Sequence, residues 1–426
     1  TTYTMNFGEG ITDNNEGNKL QDFQYVFSTG PIIDSLNING KIVKAFDQKT
    51  EKGYLALLYR GTDDSLPFLD RPIYFSRTND AGLFRISNIS PGSDKLIGLK
   101  ETDGNYLYSQ GEESIGFPDS LINANTENVN LEIFREAPRL RLLRAYSEFP
   151  GKAVLVFTAA ADTVKWNWLT DATKLDIYSL NYSKEHDTIN IWYKNIFSDT
   201  LSLRFNHVSL NDTVMIRLFK KSEESTGRRS FTMSITPGNL QTTVQHLYLP
   251  YFLQCNHPLA ATEIDKIILL EDSTPVKPKF FYTDSLKMNF NIEYGWKSRG
   301  KYSVFIPPAT FTDIYGFKND TVQLSFSVHG ETDYGSVTIN FQKTDIVPYV
   351  LQLIDDAGLV YREFKTSHDS IVVFNNLDPK IYKVKLIRDR NGNGKWDTGN
   401  YLKHLHPEET EFFPDAITVR ANWDVD

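Results

Sequence analysis

Cysteine is almost absent from this 426-residue chain, in which Cys255 stands alone. A single cysteine excludes an intramolecular disulfide, so burial of apolar side chains must provide the stability, and Cys255 is expected to be a small core residue. Long apolar runs are missing too. The longest nearly apolar stretch, 154–161, is less than half of the about 20 residues that a membrane-spanning helix needs, so no such helix is predicted.

Positive charge is in deficit, with 45 Lys and Arg against 54 Asp and Glu and a net charge of -9. This balance argues against a partner whose phosphates the protein would neutralise, so nucleic-acid binding is not predicted. The sequence also has no HExxH motif, no Gly-x-Ser-x-Gly elbow and no phosphate-binding P-loop. We predict that the protein is not an enzyme, although paired carboxylates distant in sequence would escape such a search.

Apolar side chains are abundant, and they alternate with polar ones. Hydrophobic residues make up 40% of the chain, and 28 Phe and 22 Tyr provide ample material for packed cores. Many segments, such as 201–205 and 286–292, place apolar residues at every second position, which is typical of antiparallel strands with one buried face. Turn clusters rich in Asn, Asp and Gly separate these segments. The pattern predicts an all-β protein of tandem β-sandwiches, each with its own core.

Two segments recur within the chain. Residues 84–113 align with 372–401 without a gap, sharing a strand, an Asn-x-x-Pro turn, a second strand and an acidic Asn/Gly loop. Residues 3–30 align with 302–330 if one residue slips, and both contain Thr-Asp before a Gly-containing turn. The order of the repeats predicts the duplication of a two-module unit.

The repeated segments resemble known bacterial modules. Residues 3–30, which end in Phe-Ser-Thr-Gly, resemble the C-terminal half of a bacterial Ig-like domain of the S-layer-associated type, and residues 258–330 resemble a more complete copy. Residues 40–43 together with 78–92 are similar to transthyretin-like, Cna-B-type modules. The C-terminal copy departs from this pattern, because Pro379 is not followed by Gly. The whole arrangement resembles the Ig-like-domain lipoproteins of Bacteroidota.

Five modules follow from the repeats and the resemblance. The first is expected to lack its front half, because Tyr3, Met5 and Phe7 alternate from the start, as in a processed or truncated product. The predicted modules are the C-terminal part of a bacterial Ig-like domain (1–32), a transthyretin-like or Cna-B-type β-sandwich (33–135), a β-sandwich of uncertain type (136–250), a bacterial Ig-like domain (251–331) and a transthyretin-like or Cna-B-type β-sandwich with an Asp/Asn-rich loop (332–426).

The resemblance implies an exported cell-envelope protein, periplasmic or associated with the outer membrane, with a lipid anchor outside the present sequence. It implies no activity, because such folds serve many roles. We expect a non-enzymatic spacer, scaffold or accessory subunit that contacts envelope or outer-membrane proteins through exposed strand edges or loops. The alternative is a carbohydrate-binding or glycan-processing accessory protein, which would need a clustered, exposed aromatic platform.

The sharpest motif is an Asp/Asn-rich loop in the last module. Its oxygen ligands stand at positions 1, 3, 5 and 9 and Gly394 at position 6, a spacing that suits a calcium loop, although Asn400 replaces the usual Glu at position 12. The other interpretation is a hairpin turn held by hydrogen bonds from Asx side chains to its own backbone, and the sequence leaves both open. The predicted low-affinity, structural calcium ligands are Asp389, Asn391, Asn393, Asp397 and the Lys395 carbonyl.

The duplicate loop at 101–112 carries comparable oxygen-bearing residues. Tyr106 stands where the calcium loop needs Gly, and a non-glycine residue adopts positive φ less readily, so an ordinary acidic turn is predicted there. His404 and His406 have a spacing compatible with a transition metal if Glu408 or Glu409 completed the site. A surface strand beside Pro407 is the preferred interpretation.

Aromatic residues concentrate in the third module. Aromatic platforms bind sugars by stacking, but the cores of β-sandwiches use the same residues, and Trp166 and Trp168 at period two fit one core face. Core packing is therefore preferred over a glycan site. The residues concerned are Trp166, Trp168, Tyr178, Tyr182, Trp192 and Tyr193.

Overall fold

The computed structural model describes residues 2–8, 10–20, 23–171, 175–196, 199–219, 232–238 and 244–425. Strands account for 49% of it and helix for 3%, which confirms the predicted all-β fold of tandem Ig-like sandwiches. Within these residues no helix is both long and apolar enough to cross a membrane. The chain divides into two compact units, unit 1 with residues 1–138, 340–370 and 382–417, and unit 2 with residues 139–339, 371–381 and 418–426.

The strands are short, as turn clusters at close spacing predict. The first part of the chain contains β1 (Thr2–Asn6), β2 (Ile11–Thr12), β3 (Lys19–Leu20), β4 (Gln24–Ser28), β5 (Leu36–Lys44), β6 (Leu55–Tyr59), the one-turn helix α1 (Leu66–Leu69), β7 (Tyr74–Arg77), β8 (Leu83–Ile89), β9 (Ser93–Lys100), β10 (Ser114–Gly116), β11 (Ile122–Asn123) and β12 (Val129–Arg135). The middle part contains β13 (Leu142–Phe149), β14 (Lys152–Phe157), β15 (Trp166–Trp168), β16 (Leu175–Tyr182), β17 (Thr188–Ile196), β18 (Thr200–Phe205), β19 (Thr213–Arg217), β20 (Ile235–Pro237), β21 (Val244–Gln245), β22 (Tyr251–Cys255), β23 (Leu259–Thr262), β24 (Ile268–Glu271), β25 (Thr274–Val276), β26 (Lys279–Tyr282), β27 (Asn289–Glu293), β28 (Lys301–Ile306), β29 (Phe311–Asp313), β30 (Val322–Val328) and β31 (Gly335–Phe341). The last part contains β32 (Tyr349–Ile354), β33 (Val360–Thr366), β34 (Ser370–Leu377), β35 (Ile381–Arg388), β36 (Thr410–Phe412), β37 (Ile417–Thr418) and β38 (Asp424–Val425). Single 3-10 turns cover Ile264–Lys266, Glu331–Asp333 and Tyr401–Lys403.

Unit 1 is built around an eight-stranded sheet in the order β7-β6-β9-β10-β12-β5-β8, with β11 beside β9. The β12 and β5 strands run parallel, whereas the other pairs in this sheet are antiparallel. A second sheet has the order β33-β32-β35-β36, with β37 beside β35. Two small ribbons, β1-β4 and β2-β3, lie at the start of the chain.

The central strand β6 is buried on both faces. Ala56 and Leu58 belong to one core, whereas Leu57 and Tyr59 belong to a second core that also includes Tyr401 from the last module. The expectation of one separate core per predicted module is therefore wrong here. The physical reason is visible in the sequence of β6, Leu-Ala-Leu-Leu-Tyr, because a continuous apolar run is typical of a strand covered on both sides.

Unit 2 contains two sandwich cores. In the first, the sheet β13-β14-β17-β16 and the sheet β15-β18-β19 share buried residues such as Leu155, Ile191 and Leu203. In the second, the sheet β20-β22-β27-β26 and the sheet β21-β30-β28-β24-β25 enclose Cys255 among apolar side chains. Burial raises the pKa of the Cys255 thiol to about 12, which confirms it as a core residue. Unit 2 also holds the short pair β23-β29 and most of the sheet β34-β31-β38.

Candidate functional site

The ribbon formed by β1 and β4 has the same register as the β28-β30 pair. Tyr3 lies opposite Phe27, with ring centroids 5.4 Å apart and planes 20° apart. Tyr302 lies opposite Phe326, with ring centroids 5.7 Å apart and planes 23° apart. The repeat that relates 3–30 to 302–330 in the sequence is therefore also a repeat of strand pairing and ring stacking.

The Thr-Asp turn is repeated as well. The Asp13 Oδ1 atom accepts a hydrogen bond of 3.1 Å from the Asn15 amide, and the Asp313 Oδ1 atom accepts one of 2.9 Å from the Tyr315 amide. In both turns the aspartate bonds the backbone two residues further on, which is the Asx-turn geometry. The aspartate in the sequence repeat is thus explained by its role in the turn.

The two copies differ in what covers them. Tyr302, which belongs to β28, is 2% exposed because it packs against the strands β22 and β27 across the core. Its counterpart Tyr3 is 49% exposed, and Met5 and Phe7 on the same face are 52% and 43% exposed. The opposite strand adds more exposed rings to this face, since side chains at paired positions share one side of a ribbon. We call the exposed face the aromatic ribbon; its members are Tyr3, Met5, Phe7, Phe23 and Tyr25.

The loop at 389–397 brings the predicted calcium ligands together. Asp389 is buried, and its two carboxylate oxygens accept hydrogen bonds from the backbone amides of Asn393, at 3.1 Å, and Gly394, at 2.7 Å. The Asp397 Oδ2 atom accepts from the side-chain amides of Asn391, at 2.5 Å, and Asn393, at 2.7 Å. Gly394 has a φ of +74°, the left-handed conformation that its position in the motif requires.

These bonds are those of the Asx-turn interpretation, while calcium binding stays a prediction. The Glu408 carboxylate supports the loop, because it accepts from the amides of Arg390, at 2.7 Å, and Asp397, at 3.1 Å. Burial, and the neighbouring charges of Asp397 and Asp389, raise the pKa of Glu408. Among the described residues, no group of three or more His, Cys, Asp and Glu side chains is placed to hold a metal ion.

The duplicate loop is an acidic turn in which Tyr106 adopts a φ of +65°, despite the cost of that conformation for a residue with a Cβ. The Tyr106 amide donates to the Glu101 carboxylate, and the Tyr106 ring packs edge-on against Phe75 at 5.1 Å. The buried carboxylate of this loop is Glu113, which accepts from the amides of Thr102, at 2.7 Å, and Ser109, at 3.0 Å. Packing and hydrogen bonds thus compensate for the missing glycine.

The two histidines near the C-terminus lie in a turn rather than on a strand. His404 is the left-handed end of the 3-10 turn Tyr401–Lys403 and pairs with Asp64 at 2.8 Å. The His406 Nε2 atom lies 2.8 Å from Asp119. The preferred expectation of a surface strand is therefore wrong at these positions, and the carboxylates that they meet come from the 33–135 segment.

Most aromatic residues of the third module contribute to cores. Trp166 and Trp168 pack against the first core of unit 2, which also contains the buried Tyr193. Trp192 is buried in a separate cluster, and its Nε1 donates to Asn181 at 2.7 Å. This burial agrees with the preference for core packing over a glycan platform.

Sequence reasoning missed a buried His–Asp pair in unit 2. The His257 Nδ1 atom lies 2.7 Å from the Asp313 Oδ2 atom, and both side chains are buried. The rings of Phe149 and Tyr315 lie 5.3 and 5.5 Å from the His257 ring. The repeated Thr-Asp motif points to Asp313 as a turn residue, but its partner lies 56 positions earlier in the sequence. Because Asp313 also holds the turn, the pair serves to join segments.

No protein-family model and no curated protein matches this chain. Among solved structures, BcpA, the major pilin subunit of Bacillus cereus, is 10% identical, with 92% of this chain and 97% of that chain covered and a TM-score of 0.17. The surface layer protein SbsC, domains 1–6, is 10% identical over 67% of this chain and 41% of that chain, with a TM-score of 0.24. Three consecutive titin domains are 8% identical over 67% of this chain and 97% of that chain, with a TM-score of 0.18. Likeness at this level carries no information about activity.

Proposed function

We propose that this protein is a non-enzymatic structural component of the cell envelope, a spacer or accessory subunit that contacts other envelope proteins through the aromatic ribbon. The observation that carries the proposal is the difference between the two copies of one strand pair. The face that is exposed at Tyr3 and Met5 is covered in the second copy, at Tyr302 and Val304. In the second copy the cover is the other sheet of the same sandwich, and for the first copy we propose a sheet or strand edge of a partner protein.

The energetics favour a covered ribbon. Fully burying a large apolar side chain stabilises by about 1.5–3 kcal/mol, so covering the remaining half of Tyr3, Met5 or Tyr25 would contribute about 1 kcal/mol each. Contiguous apolar side chains on a surface are typical of protein–protein contact sites. The ribbon has only two strands, and an isolated two-stranded sheet is at best marginally stable in water. Packing against a further sheet would therefore stabilise it.

The resemblance to the Ig-like-domain lipoproteins of Bacteroidota supports the finer location. We place the protein in the periplasm or at the outer membrane, attached through a lipid anchor. The net charge of -9 fits contact with proteins better than contact with anionic lipid headgroups. In this role the two sandwiches of unit 2 act as rigid units, because each encloses its own apolar core.

Site-specific photocross-linking in the native envelope tests this function. A photoreactive residue at Met5 should form adducts with envelope proteins, whereas one at Val208, on a fully exposed loop, should not. The double variant Tyr3→Ser/Tyr25→Ser should remove the same partners from co-purification. Cross-links from Met5 only within the same chain, adducts of equal yield from both positions, or co-purification that the double variant leaves unchanged would contradict the proposal.

A further inference from the structure

Unit 1 contains a cavity of about 440 Å³ between the turn that follows β5 and the sheet of β32, β35 and β36. Lys383 and Lys385 of β35 pair with Ile354 and Gln352 of β32. Because side chains at i and i+2 of a strand point to the same side, these four residues line one wall. The turn residue Phe46 also lines the cavity.

The Lys385 ammonium is buried and lacks a hydrogen-bond partner. Its side chain is 2% exposed, and among the described residues its Nζ atom has no acceptor within hydrogen-bond distance. The Nζ atom lies 3.0 Å from the centroid of the Phe46 ring and 5.9 Å from that of Phe412. Aromatic faces attract a cation, but they do not replace the hydrogen bonds that water would make with an ammonium group.

The other charged side chains of the cavity have ion-pair or hydrogen-bond partners. Lys383 forms an ion pair of 2.8 Å with Asp356, and Lys49 lies 3.9 Å from Asp47. Asp355 accepts hydrogen bonds of 2.9 Å from the amides at 357 and 359. The lining thus carries three lysines and three aspartates, and among the described residues Lys385 is the lysine of the cavity whose buried Nζ atom lacks an acceptor.

We propose that this cavity is a binding site for a small monocarboxylate with an apolar or aromatic body. The carboxylate would accept hydrogen bonds from the Lys385 ammonium, and the apolar part would lie against Phe412, Phe413 and Pro414, which line the same cavity. A single carboxylate supplies the acceptor that the Lys385 ammonium lacks. A dianion such as phosphate is disfavoured, because the neighbouring aspartates would repel the second charge.

Phe46 determines access to the ammonium. Its ring covers the Nζ atom and packs edge-on against Trp396 at 5.0 Å, but the residue is 47% exposed and belongs to a turn, so a rotamer change would give up these two contacts and open the Nζ atom to the cavity. The ligand carboxylate would then replace the ring as the partner of the ammonium. A hydrogen bond to a charged partner exceeds the cation–π contact in strength, which favours the exchange.

Binding of 3-phenylpropionate to the full chain tests the proposal, measured by saturation-transfer NMR at about pH 6.5, where the carboxylate and the ammonium are both charged. The wild type should bind it, and Lys385→Met should bind about tenfold more weakly or worse, equivalent to at least about 1.4 kcal/mol. The matched control Lys383→Met removes a cation that already has a partner and should leave the affinity within about twofold.

A neutral analogue, 3-phenylpropan-1-ol, separates the charge from the apolar contact. It should bind the wild type and Lys385→Met equally weakly. Equal affinity of the wild type for acid and alcohol, absence of binding of the acid, or loss in Lys383→Met as large as in Lys385→Met would overturn the proposal. Thermal unfolding of both variants verifies that they are folded, which we expect because methionine keeps the length and the apolar stem of lysine.

Discussion

Asp13 and Asp313 occupy the same position in two copies of one turn, yet their surroundings differ. Asp13 is exposed, and both of its carboxylate oxygens accept hydrogen bonds from the local backbone. Asp313 is buried and, besides the turn, meets the ring of His257. The same motif therefore contributes differently to stability in its two copies. The difference follows from the burial of Asp313 and not from the sequence of the motif.

Alanine substitution of the two aspartates measures this difference. Asp313→Ala should lower the free energy of unfolding by about 3 kcal/mol, because it removes the buried carboxylate that meets the His257 ring and accepts from the backbone amides of Tyr315 and Phe317. Asp13→Ala should cost about 0.5–1 kcal/mol, since water can replace its bonds. Urea unfolding of both variants provides the comparison. Equal losses would show that the buried pair adds nothing to the turn.

Lys385→Met should stabilise the protein in a pH-dependent way. Burial lowers the pKa of Lys385 to about 8, with the Asp47 carboxylate opposing the shift in part. Below about pH 8 both folded and unfolded chains hold this proton, so the full cost of burying the charge, about 2 kcal/mol, is present. Between about pH 8 and 10 the unfolded chain holds more protons, so the wild type gains stability as the pH rises.

The measurement is the difference in unfolding free energy between Lys385→Met and the wild type at the two ends of this window. The variant should be more stable near pH 7, and the difference should shrink toward about pH 10. A pH-independent difference for Lys385→Met would contradict the lowered pKa.

The sequence around Lys385 explains why its burial could not be predicted. The run Tyr382, Lys383, Val384, Lys385 alternates as a half-exposed strand should, and β35 is indeed a strand. Alternation places both lysines on the same side of the strand, and a side that carries lysines is normally exposed to solvent. The turn at 46–49, more than 300 residues earlier, covers part of that side, and no local pattern encodes this contact.

At the scale of elements, the β1-β4 ribbon should be the less stable copy of the repeated strand pair. Its backbone register matches that of β28-β30, but an apolar core covers only the second copy. Amides in the ribbon should therefore exchange with solvent about 100-fold faster than the equivalent amides of β28 and β30. Hydrogen exchange followed by mass spectrometry measures both copies in one sample. Equal protection in the isolated protein would mean that the ribbon needs no cover.

The Asp/Asn-rich loop is predicted to bind calcium weakly. The geometry already gathers Asp389, Asn391, Asn393 and Asp397, and the ion would replace hydrogen bonds among them. Calorimetric titration should show heat at about millimolar Ca²⁺, and Asp389→Ala should abolish it. Asp103→Ala in the duplicate loop is the control and should leave the heat unchanged. Absence of heat in the wild type would establish the loop as an Asx-turn alone.

At the scale of the molecule, one core of unit 1 joins two predicted modules through Tyr401. The side chain is 1% exposed, its amide donates to the Glu136 carboxylate at 2.5 Å, and its ring lies 5.3 Å from that of Phe117. Tyr401→Ala should cost about 3–4 kcal/mol. Faster hydrogen exchange should appear in β6 as well as around 401.

Leu405→Ala, at a half-exposed residue of the same turn, is the control and should cost less than about 1 kcal/mol. If Tyr401→Ala speeds hydrogen exchange only in residues near 401 and β6 stays protected, the two modules do not unfold together. A response in both would show that unit 1 unfolds as one cooperative body.

Period-two alternation predicted the all-β class, and the internal repeat predicted two matching strand pairs with the same register. Spacing in the Asp/Asn-rich loop predicted which side chains would converge, because residues that are close in sequence within a tight turn also lie close in space. The pairs that joined distant segments, such as His257 with Asp313 and Tyr401 with Glu136, were not predictable. The packing of the strands determines which residues become partners, and this packing cannot be derived from the pattern of a single sequence. The five module boundaries remain predictions.

The shared core of unit 1 also constrains how the polypeptide must be made. Leu57 leaves the ribosome about 340 residues before Tyr401, the ring that helps to close its surroundings. During that interval one apolar face of β6 in the nascent chain is exposed to solvent. Contacts between residues this far apart in sequence also form slowly. Synthesis of this protein should therefore depend on a holding chaperone that releases the chain only after the last strands have emerged.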